Sequence, residues 1–253
     1  MRMRLESGLT DQGVAVAMPM AEAMFKLAAA GPKALPRVFM DRLLMALDAF
    51  MLATVERYAA QGVIPTCKRG CSHCCVIPVG ITPLEAFHIA RFVAQSGCGL
   101  TNLRRRLKQN SDYRHDGGSE DPRTVKCVFL QNRVCSIYPV RPVTCRSYFS
   151  LCGADGMRWD GGKNPLLGFP VTLGAAVGFL LLRETAAPGA SPEEAVRQDG
   201  QLLEDGVLAV LNAGDINTAF DNFIRRREPV FPPTWPGILI ERQSMGAAQE
   251  ANA

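Results

Sequence analysis

The stretch Cys67-Lys68-Arg69-Gly70-Cys71-Ser72-His73-Cys74-Cys75 places four cysteines within nine residues. Four more cysteines follow in a second block: Cys127, Cys135, Cys145 and Cys152. Exposed thiols oxidise and cross-link, so two dense blocks of them need a chemical reason. Shared ligation of a metal ion or an iron–sulfur cluster by thiolates is the strongest one. We therefore expect the fold to be organised around a cysteine-ligated centre.

The spacing within the first block limits how a metal is held. Two thiolates separated by two residues, as in Cys71-x2-Cys74, can bind one ion from a single loop. Cys74 and Cys75 are adjacent, so their side chains diverge and should not share that ion. We therefore expect at least one ligand from the second block, with its sulfur about 4 Å from a first-block sulfur in a zinc site, or about 6–7 Å in a four-iron cluster. One site with spare thiols and two separate sites both remain open.

Other uses of cysteine are open as well. A disulfide framework suits the even count of eight, but it needs an oxidising compartment that nothing in the sequence supports. Cys71-Ser72-His73-Cys74 has the spacing of a thioredoxin-like redox pair, although no βαβ pattern surrounds it. His73 is interpreted as a solvated loop residue, and Cys98, which stands apart, as a core thiol. Metal ligation is the favoured reading.

The composition is that of a globular protein. Of the 253 residues, 47% are hydrophobic and 21% are charged, with a formal net charge of +4, so a sizeable core can form without cysteine cross-links. Positive charge clusters at Arg104-Arg105-Arg106 and Arg225-Arg226-Arg227. Neither run is interleaved with aromatic residues, so we interpret both as solvated helix faces or helix ends rather than nucleic-acid sites.

No export signal or membrane span is expected. The basic N-terminus leads into an apolar region that Pro19, Glu22 and Lys26 interrupt, unlike a signal peptide. The uncharged stretch from Pro165 to Leu182 is at the lower length limit for crossing a bilayer, and we predict a buried helix there. We therefore predict a cytoplasmic protein, a location that keeps thiols reduced and available to metals.

Helical patterns surround the first block. Apolar residues over 37–60 recur on one helix face: Phe39, Leu43, Leu44, Leu47, Phe50, Met51 and Val55. They predict a helix of about six turns that leads into the block. Thr82-Pro83-Leu84-Glu85 is a capping box that predicts a second helix to about Ser96. A basic helix is expected from Thr101, followed by an exposed polar loop over residues 110–124.

The second block starts on a predicted hairpin. Residues 125–138 read as two short strands around a Gln131-Asn132-Arg133 turn. A three-residue turn would place Cys127 and Cys135 on the same face, because side chains alternate along a strand. Arg141-Pro142 then starts a short helix that carries Cys145.

We divide the chain into four parts: N-terminal helices over 1–60, a cysteine-cluster metal-binding domain over 61–152, a C-terminal helical region over 153–228 and a Pro-rich, partly disordered tail over 229–253. Further helices are predicted over 11–30, 171–185, 191–212 and 215–227. The fold class is therefore mainly α, a helical domain with a small β-hairpin around the metal centre. Helix should exceed half of the ordered residues.

Several charged residues near the blocks are secondary candidates. Glu85 and His88 have the spacing used in di-iron bundles, but no second pair exists, and Glu85 has a sufficient role as a helix cap. Arg141 and Arg146 flank Cys145, where cations lower the pKa of thiols and offset the charge of a cluster. Alternatively, each arginine pairs with an acidic surface residue.

The two blocks together form a specific pattern. Cys67-x3-Cys71-x2-Cys74-Cys75 is followed by Cys127-x7-Cys135 and by Arg141-Pro142-x2-Cys145-Arg146-x-Tyr148. This pattern, over about residues 60–152, resembles the YkgJ-type cysteine-cluster family, which is described as a zinc- or iron-chelating domain. The resemblance implies seven candidate metal ligands: Cys67, Cys71, Cys74, Cys75, Cys127, Cys135 and Cys145. Cys152 is not part of the pattern.

Two classes of function follow. The first is a metal-binding protein that chelates zinc or an iron–sulfur cluster in a structural or regulatory role, with the metal as its partner. The second is an iron–sulfur enzyme with redox or methyl-transfer chemistry, because flagellin lysine N-methylases share a similar cysteine block. The sequence has no glycine-rich nucleotide-binding turn and no base–nucleophile set beyond the cysteines. The first class is therefore favoured, and no catalytic residue is assigned.

Overall fold

The structure is a computed structural model that describes residues 38–65, 67, 70–97, 99–115, 125–150 and 201–226, together with residues 26, 177, 178 and 181. Helix accounts for 67% of these residues, with two small two-stranded sheets, so the predicted mainly α class is confirmed. The helix predicted over 11–30, except for residue 26, and the tail over 229–253 lie outside the described residues. Cys98 and Cys152 also lie outside them.

The first described helix, α1, spans Phe39–Ala60, as the apolar periodicity predicts. Six of the seven predicted positions are buried, and only Val55 is partly exposed. The helix ends in a turn at Gly62, whose φ of +80° lies in the left-handed region that favours glycine. This turn directs the chain towards Cys67.

Regular structure begins within the first block. A short 3-10 helix spans His73–Val76, and strand β1 spans Gly80–Ile81. Helix α2 then spans Pro83–Gln95 and begins with the predicted capping box. That box positions α2 immediately after the cysteines, so the sequence prediction is confirmed here.

Helix α3 spans Leu100–His115 and continues into the region predicted to be a loop. Its last turns contact distant residues, which explains the extension. Ser111 Oγ lies 2.5 Å from Asp205 Oδ1, and Arg114 Nε donates to Glu204 Oε1 at 3.1 Å. The loop prediction is therefore wrong over residues 110–115, while residues 116–124 lie outside the described part.

The predicted hairpin is present with a different turn. Strand β2 spans Leu130–Gln131 and pairs with strand β3, Val134–Cys135, so that Gln131 lies opposite Val134. The connection therefore contains only Asn132 and Arg133, both with positive φ (48° and 63°), as in the type I′ turns favoured in hairpins. The three-residue turn is wrong, and Cys127 precedes the paired strands, so the predicted shared face with Cys135 is wrong as well.

The chain after the hairpin forms two short helices. A 3-10 helix spans Tyr138–Val140, and helix α4 spans Val143–Ser147. Pro142 immediately precedes α4, where its missing N–H leaves no unsatisfied donor. The short helix predicted to carry Cys145 is therefore confirmed.

A second sheet joins distant parts of the chain. Strand β4, Gln201–Leu202, pairs antiparallel with β1, and helix α5, Leu203–Asn212, starts directly after it. The helix predicted over 191–212 is therefore wrong at residues 201 and 202, because pairing with β1 satisfies their backbone groups instead. Residues 191–200 lie outside the described part.

Helix α5 packs closely on the elements around it. A Cβ atom at Gly206 would lie 3.0 Å from Ile81 Cδ1 and 3.3 Å from Ala86 Cβ. A glycine at this position therefore allows α5 to approach β1 and α2 more closely than any other residue would.

The last described helix, α6, spans Ile216–Arg226 and confirms the prediction for 215–227. Its Phe220 and Phe223 rings lie 5.3 and 5.4 Å from the ring of Phe87 on α2, measured between centroids. One hydrophobic core contains residues of each of the helices α1 to α6. Cys127 and Cys135 pack against its edge.

The uncharged stretch from Pro165 to Leu182 lies largely outside the described residues. Within it, residues 177, 178 and 181 are helical, and Val177 and Leu181 are fully buried, in line with the predicted buried helix. Among the described residues, none of the helices has the length and apolar character needed to cross a membrane.

Candidate metal centre

The first cysteine block is built on tight turns. Gly70 has a φ of +85°, a conformation that favours glycine, and it reverses the chain just before Cys71. The 3-10 helix then carries Cys74 and Cys75, with the Cys75 N–H donating to Ser72 O at 3.1 Å. These turns concentrate the four thiols of the block within a short length of backbone.

The second block contacts the first through the backbone. The Cys127 N–H donates to the carbonyl oxygen of Cys75 at 2.6 Å, and the Cys127 carbonyl accepts the Leu130 N–H at 3.0 Å. The two blocks are therefore neighbours in the folded protein, as the shared-site prediction requires.

One buried carboxylate positions the helix that carries Cys145. Glu85 Oε1 accepts the N–H of Val143, the first residue of α4, at 2.8 Å. The other oxygen of Glu85 accepts the Thr82 N–H, also at 2.8 Å. Glu85 is 3% exposed, and burial raises its pKa. It therefore accepts backbone N–H groups at the starts of both α2 and α4 and joins the two helices there.

Arg146 connects α4 to α1. It is the largest fully buried side chain of the described residues, at 1% exposure. Its Nε donates to Arg141 O at 2.8 Å, its Nη2 donates to Pro139 O at 2.5 Å, and its Nη1 pairs with Asp48 on α1. A guanidinium can make all three contacts at once because its donors form a planar fork.

Arg141 lies closer to the thiols. Its guanidinium stacks 4.1 Å from the centre of the Tyr138 ring, and its Nη2 lies 3.6 Å from Asp48 Oδ1. Its positive charge acts to lower the pKa values of the Cys74 and Cys135 thiols. Both sequence interpretations of the two arginines therefore apply: each pairs with an acidic residue, and each places positive charge beside the cysteines.

Two adjacent thiols differ sharply in acidity. The Cys75 thiol donates a hydrogen bond to the Cys74 sulfur, which lowers the pKa of Cys74 to about 7, and Arg141 adds to that effect. The same hydrogen bond raises the pKa of Cys75, and burial raises it further. Cys74 is therefore the described cysteine that most readily becomes a thiolate, the form that binds metals.

Burial favours the neutral form of four other thiols. Burial raises the pKa values of Cys67, Cys135 and Cys145, and it raises that of Cys127 to about 12. The Cys67 sulfur accepts the Ser150 N–H at 3.2 Å, which acts against this shift. A bound cation would reverse the effect, because metal ligation deprotonates a thiol.

All seven predicted ligands lie within the described residues, partly exposed and as free thiols. Seven soft sulfur donors with cations beside them fit zinc or an iron–sulfur cluster better than they fit a hard, oxygen-preferring ion. As the side chains stand, no three His, Cys, Asp or Glu groups among the described residues are grouped as they would be around an ion. The structure thus assembles the donors without arranging them around a common point.

Glu85 serves as a helix cap, as the sequence analysis favoured, and His88 contacts Asp41 and Arg91, with its Nε2 3.5 Å from Asp41 Oδ1. One other sequence interpretation is corrected. The Arg104-Arg105-Arg106 run is only partly a solvated face. Arg104 Nη2 donates to Leu211 O at 2.7 Å, and Arg106 Nη2 donates to Val128 O at 2.6 Å, while Arg105 is exposed. The run therefore helps to hold α3 in the fold.

Asp48 is the residue of this region that sequence reasoning missed. It lies on α1 beside buried positions, and its side chain is 48% exposed, as an ordinary helix-surface carboxylate would be. Nothing in the local sequence marks it, because both of its partners lie about a hundred residues later.

The comparisons with known proteins bear on the same region. No curated protein and no solved structure matches this chain. Residues 66–160 match a family model named CxxCxxCC and described as a "putative zinc- or iron-chelating domain". The match includes both blocks and all seven candidate ligands, and it confirms the resemblance seen in the sequence. Over residues 66–160 the chain is therefore similar to the CxxCxxCC cysteine-cluster family.

Proposed function

We propose that this protein binds one zinc ion or one iron–sulfur cluster at a site shared by the two cysteine blocks. The candidate ligands are Cys67, Cys71, Cys74, Cys75, Cys127, Cys135 and Cys145. The bound group would supply a thiolate-ligated centre that holds the two blocks together. The family match supports metal chelation in general, and the choice of ligands and of one shared site is the proposal.

The hydrogen bond from Cys127 to Cys75 carries the proposal. It joins the two blocks directly, which supports a site to which thiols of both blocks contribute. The Cys74 and Cys75 thiols share a hydrogen bond, so the divergence expected from their adjacency is wrong. A ligand from the second block is proposed instead on the backbone contact between the two blocks.

We propose that rotation of the cysteine side chains loads the site. A cysteine side chain has a single rotatable bond with three staggered positions, so its sulfur can move without disturbing the backbone. The seven cysteines are partly exposed, which gives an incoming ion access to them. Arg141 and Arg146 would offset the negative charge of several thiolates around one centre.

Metal analysis of protein purified without oxygen tests the proposal. Stoichiometric zinc in a colourless sample indicates a zinc site, whereas iron and sulfide with broad visible absorption indicate a cluster. The proposal is refuted if the chain contains neither metal after purification and binds neither on reconstitution. Binding through sulfur can be checked by X-ray absorption at the metal edge, where zinc–sulfur distances of about 2.3 Å are expected.

The proposed biological role rests on thiolate–metal chemistry. We propose a structural or regulatory centre in a reducing compartment, the cytoplasm, because the seven described cysteines are free thiols. The family match gives no support to the enzyme alternative.

A further inference from the structure

A polar cleft of about 450 Å³ opens between α1, α2 and α6. Its polar lining comes from Asp41, Arg91, Gln95 and Asn217, and its volume is in the range of small-molecule sites. Phe92 and Val140 contribute the smaller, apolar part of the lining. None of the seven cysteines lines it, so its chemistry is separate from the proposed metal site.

His88 organises the charged part of the cleft. It is 6% exposed, and its Nδ1 lies 3.4 Å from Arg91 Nη2 while its Nε2 lies 3.5 Å from Asp41 Oδ1. A guanidinium can only donate, so Nδ1 accepts and Nε2 carries the proton that faces the carboxylate. The buried ring therefore holds Arg91 on one side and Asp41 on the other.

The two charges are neighbours without a close hydrogen bond to each other. Arg91 Nη2 and Asp41 Oδ2 are 3.9 Å apart, longer than a direct hydrogen bond, and the side chains are 27% and 53% exposed. A guanidinium has five N–H donors and a carboxylate has about four acceptor positions. Both side chains are partly exposed, so each can contact a ligand while it keeps its present partners.

We propose that this cleft binds a small zwitterion of the α-amino acid class. The ligand's carboxylate would pair with Arg91, and its ammonium group would pair with Asp41. The ligand's opposite charges are attached to adjacent carbon atoms, so they match two protein charges that lie side by side. A simple anion would be repelled by Asp41, and a simple cation would be repelled by Arg91.

The rest of the lining suits the same ligand. The carboxamides of Gln95 and Asn217 can donate hydrogen bonds to a polar ligand and accept them from it. The proposal is independent of the metal site, since neither the ligand nor its contacts involve a cysteine.

Calorimetric titration of the full chain with the common L-amino acids tests this inference. The best binder is then compared with two matched analogues, one without its amino group and one without its carboxylate. We expect at least one amino acid to bind and each analogue to bind at least about tenfold more weakly, because a site built for a polar group rejects a ligand that lacks it. The inference fails if no common amino acid binds at millimolar concentration, or if an analogue with one charge binds equally well.

Variants assign the binding to the cleft. Arg91→Gln and Asp41→Asn should each weaken binding at least about tenfold, and Arg91→Lys should weaken it as well because it loses the planar fork. Arg105→Gln is the matched control, since Arg105 is exposed on α3. Circular dichroism confirms that each variant is folded. Unchanged binding in both Arg91→Gln and Asp41→Asn would place the site elsewhere and overturn the inference.

Discussion

The backbone N–H of Cys127 donates a hydrogen bond of 2.6 Å to the carbonyl oxygen of Cys75. Residues 76–126 lie between them, so this contact closes a long loop and brings the two cysteine blocks together. A metal held by thiols from both blocks would restrain the same loop in the unfolded chain, by the entropy argument that applies to long disulfide loops. The contact thus links the folding of the domain to the proposed function.

Asp48→Ala should destabilise the protein by about 3 kcal/mol, because it leaves the buried Arg146 cation without its carboxylate partner. Asp112→Ala is a matched control. Asp112 is also a half-exposed aspartate paired with a basic residue on a helix, but its partner Lys108 is exposed. That pair should contribute less than about 1 kcal/mol. Urea unfolding of both variants measures the difference, and equal losses would contradict the role assigned to Asp48.

Glu85→Ala should cost about 3 kcal/mol, because one substitution removes the side-chain acceptor of the Thr82 N–H in the α2 capping box and the acceptor of the Val143 N–H. Glu56→Ala, at an exposed position on α1, should change stability by less than about 0.5 kcal/mol. Loss of the Val143 contact should also loosen α4, so hydrogen exchange at residues 143–147 should increase in Glu85→Ala. Unchanged exchange there would show that Glu85 does not hold α4.

His88 should make stability depend on pH. Burial is the main cause that lowers the pKa of His88 from 6.5 to about 4. The charge of Asp41 acts to raise this pKa, and the charges of Arg91 and Arg146 act to lower it. Between these values the unfolded chain binds more protons at this residue than the folded chain does. Stability should therefore fall as the pH falls from 6.5 towards 4, by on the order of 3 kcal/mol from this group.

A variant isolates that contribution. His88→Gln lacks the titrating ring, so the stability difference between wild type and His88→Gln should shrink as the pH is lowered over this interval. Denaturant unfolding at several pH values measures the difference. A constant difference would mean that His88 titrates alike in the folded and unfolded states.

Local patterns predicted the helices well. The apolar repeat of α1 and the capping box of α2 depend on residues within a few positions of each other, so the sequence reveals them directly. The seven candidate cysteines come from the family resemblance of their spacing, and their role as ligands stays a prediction. The helix at 110–115 was missed because its contacts are with Glu204 and Asp205, which are distant in sequence.

The remaining differences have similar causes. The pairing of β1 with β4 joins residues 80–81 to residues 201–202, and neither short strand has a strong pattern of its own. The hairpin turn uses positive φ at Arg133, a conformation that the residue type does not indicate. Asp48 and the cleft around His88 could not be predicted, because both arise from packing between separate helices.

Metal content per chain in cysteine variants tests the shared site most directly. Wild type, Cys71→Ser, Cys145→Ser and Cys98→Ser would be purified side by side without oxygen, with circular dichroism to confirm folding. The account predicts that Cys71→Ser and Cys145→Ser each lose nearly all bound metal and are less stable, because ligation free energy is also folding free energy. Cys98→Ser should keep the full metal content. Full retention in either ligand variant, or loss of only half of the metal in each, would contradict a single site shared by the two blocks.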